Sequence, residues 1–116
     1  MFNFEKLDAW QLAVKYAARI YKATIAIPTD ERFGLTSQLR RAAVSISANL
    51  AEGSGRGTQK DFIRFIEIAF GSLMETVSHI AIARQEHYVT AEVHKELYSQ
   101  AERLGKVLSG LRRSLE

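Results

Sequence analysis

Apolar residues in this chain recur at three- and four-residue steps, the spacing that places them on one face of an α-helix. Leu7, Trp10, Val14, Ala17, Tyr21 and Thr24 form a first stripe, widened by Ile20, Ile25 and Ile27. Asp8, Gln11, Lys15, Arg19 and Lys22 lie on the opposite face. Pro28 predicts the end of this helix, because the residue before a proline is pushed out of the helical region. A polar connection, Thr29-Asp30-Glu31-Arg32-Phe33-Gly34, leads to a second stripe of Leu35, Leu39, Ala42, Ala43, Ile46 and Leu50. Ser37, Ser45, Ser47, Ala48, Asn49 and Ala51 intervene, and such short side chains would let a neighbouring backbone approach closely.

Gly53 suits the left-handed position that commonly follows a helix C-terminus, and Gly55 and Gly57 allow the chain to reverse. Thr58 is a good N-cap for a third helix, with Asp61 adding negative charge in its first turn. Phe62, Phe65, Ile66, Ala69, Leu73, Val77, Ile80 and Ala81 make its stripe, widened by Ile63, Phe70 and Met74. This helix is therefore expected to be the most buried of the set. Thr90 predicts the start of a last helix with Val93, Leu97, Ala101, Leu104, Leu108, Leu111 and Leu115 inward.

No segment alternates with period two between turn signals, so no strand is predicted. The pattern predicts an all-α fold, an up-down-up-down antiparallel four-helix bundle forming one domain over residues 1–116. Its helices should span about 7–27, 35–52, 58–86 and 90–113. The second and third helices are apolar over more than one face. An oligomer that covers the excess and a monomer with a broad core both fit.

Composition narrows the setting. A hydrophobic share of 47% and a charged share of 25% are ordinary for a soluble domain. The absence of cysteine excludes disulfides and thiolate metal sites and suits a reducing compartment. The opening Met1-Phe2-Asn3-Phe4-Glu5-Lys6 lacks the pattern of a secretion signal, and no uninterrupted apolar run reaches the roughly 20 residues of a membrane helix. A cytoplasmic location with no membrane partner is the expectation.

The glycine-rich turn Gly53-Ser54-Gly55-Arg56-Gly57-Thr58 invites comparison with a phosphate-binding loop. That motif needs a lysine and a hydroxyl residue after its last glycine, and a strand before it; here Thr58-Gln59 follow and a helix precedes. A di-iron bundle needs Glu-x-x-His pairs, but Thr76, Arg84 and Ala91 stand three residues before His79, His87 and His94. Ser45 and Ser47 have no recognisable histidine partner, so a hydrolase is the weakest of the functional alternatives. No catalytic residue, metal or cofactor is assigned, and the chain is not expected to be an enzyme.

Asn49 and Glu52 share a face one turn apart beside Ile46 and Leu50. They suit two roles: capping the loop amides near Gly53 to Gly57, or forming a polar network that fixes register at a subunit contact.

The run Leu35-Thr36-Ser37-Gln38-Leu39-Arg40-Arg41-Ala42-Ala43, with Asn49-Leu50-Ala51-Glu52-Gly53 and Gly55-Arg56, is similar to a known family signature. So is the opening Phe4-Glu5-Lys6-Leu7-Asp8-Ala9-Trp10. The chain resembles, over nearly its whole length, the four-helix bundle proteins encoded in intervening sequences of 23S ribosomal RNA genes, to which accessory proteins of diversity-generating retroelements are related. Ser47 departs from the family pattern, which often has proline there, and should leave the second helix straighter. The resemblance implies a left-handed bundle assembling into a ring-shaped homopentamer with a basic surface proposed to bind nucleic acid. It implies no enzyme.

Charge is segregated along the sequence: neutral over residues 1–31, +4 over 32–64, −4 over 65–102 and +3 over 103–116. In a bundle, Arg56, Lys60 and Arg64 come to the end where the last helix finishes with Arg103, Lys106, Arg112 and Arg113. Asp30, Glu31, Glu75, Glu86, Glu92 and Glu96 gather toward the other. The seven basic residues are the candidate nucleic-acid contacts, and a ring would multiply them into a collar for phosphate backbones. Arg40, Arg41, Asn49, Glu52 and Gly53 are the candidate structural or interface residues. The leading expectation is a non-enzymatic oligomeric bundle binding RNA or DNA through backbone contacts. The alternative is a protein-interaction scaffold or accessory subunit of a nucleic-acid enzyme.

Overall fold

A computed structural model describes all 116 residues. Four helices, α1 (Asp8–Thr24), α2 (Leu35–Ser54), α3 (Gln59–Gln85) and α4 (Ala91–Ser114), carry the fold, with short 3₁₀ turns at Asn3–Lys6 and Thr29–Glu31 and no strand. They form an antiparallel up-down-up-down bundle measuring 43 × 24 × 23 Å. Each helix packs on its sequence neighbours and α4 closes back on α1, so α1 and α3 stand diagonally opposite.

The expected starts of α3 and α4 are borne out in detail. Thr58 Oγ1 accepts from the Asp61 amide at 3.1 Å, and Thr90 Oγ1 accepts from the Val93 amide at 3.1 Å. These satisfy amides that a helix N-terminus otherwise leaves without partners. The opening motif also has a physical role. Phe4 meets the Trp10 ring edge-on at 5.1 Å between centroids, and the Gln11 side-chain amide donates to the Glu5 carbonyl at 2.8 Å. Both contacts fix how the chain enters α1.

The inward face of α1 differs from the expected one. Ala9, Ala13, Tyr16, Ala17, Ile20, Ala23 and Thr24 are buried, while Val14 and Tyr21 are exposed. Large apolar residues dominate a periodicity reading, but α1 turns its small alanines inward where helices approach closely. It also ends at Thr24, well before Pro28. Ile25, Ala26 and Ile27 continue through i→i−3 bonds to Lys22, Ala23 and Thr24, a tightened last turn that unwinds the helix before the proline.

Nor is α3 the most buried helix. Six of its 27 residues are buried, against eight of 20 in α2. Its apolar residues run most of the way round, but its neighbours α2 and α4 cover only one side. Over 18 residues its mean hydropathy reaches 1.3, the length and apolarity of a membrane-crossing segment, yet only 28% of that window is buried. Ile68, Met74 and Ile82 stay exposed. The surplus is an outward face.

Gly53 corrects a third expectation. It lies inside α2 with no positive φ, so it is not a left-handed cap. A Cβ there would sit 2.6 Å from Phe65 Cβ and 3.0 Å from Phe62 Cδ1. At Gly53 α3 packs directly against the α2 backbone, and only a missing side chain permits it. The one left-handed residue is His87, with φ of 60°. It closes α3 through two bonds, His87 amide to Arg84 carbonyl at 3.0 Å and Tyr88 amide to Ala83 carbonyl at 2.9 Å.

Candidate functional site

The close approach at Gly53 fixes the α2–α3 turn and thereby the residues around it. Arg56 is held on two sides. Its Nη2 lies 3.2 Å from Glu52 Oε1, and its guanidinium stacks over the Phe65 ring at 4.8 Å. The carboxylate and the ring both restrain a side chain expected to reach for phosphate. Glu52 therefore serves the turn through Arg56, not through loop amides.

Asn49 does not cap the loop either. Its Nδ2 donates back along α2, to the Ser45 carbonyl at 2.8 Å and to Ser45 Oγ at 2.9 Å. Ser45 Oγ in turn meets Ser72 Oγ of α3 at 2.9 Å. A polar seam thus joins α2 to α3. Further along α3, His79 Nε2 lies 3.3 Å from Glu75 Oε2 while His79 Nδ1 is buried without a partner.

Arg112 is engaged by Glu67 at 3.0 Å and by Glu116 at 3.9 Å. The Glu67 contact ties the end of α4 to the first half of α3 and confirms that both approach the α2–α3 turn. Lys60, Arg64, Arg103, Lys106 and Arg113 are exposed and have no carboxylate within 4.0 Å. Their distribution is uneven. Lys60, Arg64 and Arg113 belong to the end itself, whereas Arg103 and Lys106 extend up α4. Lys106 and Arg113 also edge a groove of about 420 Å³ between α3 and α4, floored by Phe70, Met74, Val77 and Gly105.

The far end is not simply acidic. Glu96 is taken by Arg19 in a two-pronged bridge of 2.7 and 2.9 Å. The hydrogen bond to Arg19 holds the Glu96 carboxyl below its ordinary range, and the same bond raises Arg19. Glu31 accepts from the Tyr88 hydroxyl at 3.4 Å and from the Leu35 amide at 3.5 Å. Arg32, Arg40 and Arg41, by contrast, have no carboxylate within 4.0 Å. They line a concavity of about 450 Å³ with Tyr21, Phe33 and Ser37. Arg40 bridges α2 to α1, donating from Nε to Thr24 Oγ1 at 2.9 Å and stacking on Tyr21 at 4.7 Å. Sequence reasoning took Arg40 and Arg41 for interface residues and Phe33 for part of a connection. The available signal was the arginine pair Arg40-Arg41 with no acid between Leu35 and Ala51, following an Arg32-Phe33 pair in a polar loop.

An all-α four-helix bundle is the class of protein that this fold defines. The chain belongs to the 23S rRNA-intervening sequence protein family, whose model matches residues 5–110. No curated protein matches the chain. Among solved structures it is similar to the 1.70 Å crystal structure of a protein of unknown function from the S23 ribosomal protein family of Bacteroides thetaiotaomicron. The TM-score is 0.82 at 22% identity, covering 90% of this chain and 97% of that one. At that identity the likeness speaks to the fold.

Proposed function

We propose that this protein is a non-enzymatic, oligomeric helical bundle that binds nucleic acid by backbone contacts at its basic end. The observation that carries this reading is the set of free cations there. Lys60, Arg64 and Arg113, extended by Arg103 and Lys106, are exposed and have no carboxylate within 4.0 Å in a chain with a pI near 9.4. Such groups release counterions from a phosphate backbone whatever the base sequence. Arg56 and Arg112, held by carboxylates, contribute less.

Assembly is supported by the apolar side chains that the single chain leaves out: Val14 at 40% exposure, Ile68 at 42%, Met74 at 44% and Ile82 at 49%. A homopentameric ring, as the family resemblance implies, would cover part of this surface and repeat the basic end around one axis. The test is a salt series with double-stranded RNA and DNA. Affinity should fall steeply from about 50 to 200 mM salt, with a slope that becomes shallower when Lys60, Arg64 and Arg113 are changed to alanine. Salt-independent binding, or none at low salt, would overturn the reading.

One observation favours the scaffold alternative. The α3–α4 groove, apolar along Phe70, Met74 and Val77 with Lys106 and Arg113 at its edge, suits a partner helix. A protein partner retained after nuclease treatment supports that alternative.

A further inference from the structure

We propose that the concavity between the end of α1 and the start of α2 is a second nucleic-acid site, specific for single strands, in which Arg40 and Arg41 take phosphates and Phe33 stacks a base. This site lies at the opposite end of the bundle from the α2–α3 turn. It shares the ligand class proposed above but none of the residues.

The argument begins with Phe33. It is 85% exposed, an unusual position for a large apolar ring in a folded domain. Nothing in the chain covers its outer face. Arg32 stacks on the ring at 4.7 Å, which holds the ring at the mouth of the concavity. A second pair of the same kind, Arg40 on Tyr21 at 4.7 Å, forms the wall. Arg40 is fixed further by Thr24 Oγ1 at 2.9 Å and by the Tyr21 carbonyl at 3.4 Å. Those bonds use the Nε and Nη2 groups and leave other guanidinium donors free. Arg41 is exposed and has no hydrogen-bond partner of its own.

Charge and shape together select the ligand. Three guanidinium groups, none with a carboxylate within 4.0 Å although Glu31 stands at the start of α2, call for an anion with several negative oxygens, and planar guanidinium matches phosphate well. An exposed ring beside them adds a platform for a flat, apolar surface. A nucleic acid with an unpaired base supplies both, and base stacking tolerates any sequence. A duplex offers the phosphates but keeps its bases stacked inside, so it gains nothing from Phe33.

The experiment measures fluorescence anisotropy at about 50 mM salt, where backbone contacts are strong. The probes are a labelled oligothymidylate about twelve nucleotides long, within the usual site size of single-strand binders, and its duplex with oligoadenylate. Phe33→Ala should weaken single-strand binding about tenfold and leave duplex binding within about twofold, the effect of one lost stacked base. Phe33→Trp should restore single-strand binding, and Arg41→Ala should weaken it. Both positions are exposed, so unchanged unfolding midpoints are expected for all three variants.

The opposite-end variant, with Lys60, Arg64 and Arg113 changed to alanine, should lose duplex affinity while keeping the Phe33-dependent step. Single-strand binding that is indifferent to Phe33, with duplex binding lost in the opposite-end variant, would overturn this site and leave the basic-end reading standing. A Phe33 effect with no opposite-end effect would do the reverse.

Discussion

The hydroxyl of Tyr16 on α1 lies 2.8 Å from Thr76 Oγ1 on α3, joining the two diagonal helices across a largely apolar core. Thr76 Oγ1 also donates to the Leu73 carbonyl at 2.6 Å, so Tyr16 must be the donor of the pair. Both side chains are almost fully buried, at 1% and 0% exposure, and the direction of the bond has consequences. Tyr16→Phe removes a donor and leaves Thr76 bonded to Leu73, and should cost about 1 kcal/mol. Thr76→Val strands the tyrosine hydroxyl in the core and should cost more, about 2 kcal/mol, although it adds an apolar residue. The double variant should recover part of that loss. Urea unfolding of the three variants checks the order.

The same pair sets an alkaline limit. Burial pushes the Tyr16 hydroxyl up to about 12 from 10.0, with the Thr76 bond acting weakly the other way. The folded state therefore keeps a proton that the unfolded chain releases. Stability from this source is complete below pH 10 and is lost as pH rises toward about 12, at up to about 1.4 kcal/mol per pH unit. Thermal unfolding across that range should steepen for the native chain and flatten for Tyr16→Phe.

Two glycines should respond to alanine with opposite signs. Gly53→Ala forces a Cβ into Phe65 and Phe62, and should destabilise by about 1–3 kcal/mol despite alanine's better helix propensity. Gly71 lies in α3 with nothing within 4 Å of its added Cβ, so Gly71→Ala should stabilise by about 1 kcal/mol. Chemical denaturation of each variant decides both.

His87→Gly should stabilise by up to about 1 kcal/mol, because a side chain at φ of 60° is strained and glycine is not. A lower melting temperature would show that the imidazole makes a contact worth more than that strain.

Arg56 and Arg64 separate structure from binding. Arg56→Ala gives up the Glu52 bridge and the Phe65 stack, and should cost about 0.5–1 kcal/mol of stability with a small loss of nucleic-acid affinity. Arg64→Ala, at an exposed position without an ion pair, should do the opposite. Parallel unfolding and binding assays read the two effects.

Much of the fold was legible because α2 and α4 follow a simple rule: most of their large aliphatic residues are inward, Val44 being the exposed exception. Leu39, Ile46 and Leu50, and Leu97, Leu104 and Leu108, are all buried as expected. The rule fails in α1, where alanines face the core and Val14 faces out. It fails again at Thr76, a polar residue whose burial depends on a tyrosine sixty positions away. Gly53 stands out at the end of the α2 stripe, but sequence cannot distinguish a glycine needed for its torsion from one needed for close approach. The basic end was legible as a list of charges. Which of them are free was not: Glu67 claims Arg112 only once α3 and α4 are side by side, and Glu52, four residues before Arg56, holds it only because the chain keeps a helical spacing past the end of α2.

Native mass spectrometry, with and without a short double-stranded RNA, tests the central claim most directly. The account predicts a closed assembly of five chains of 13.1 kDa that takes up the RNA as one unit. A monomer that leaves the RNA free at low salt would contradict it.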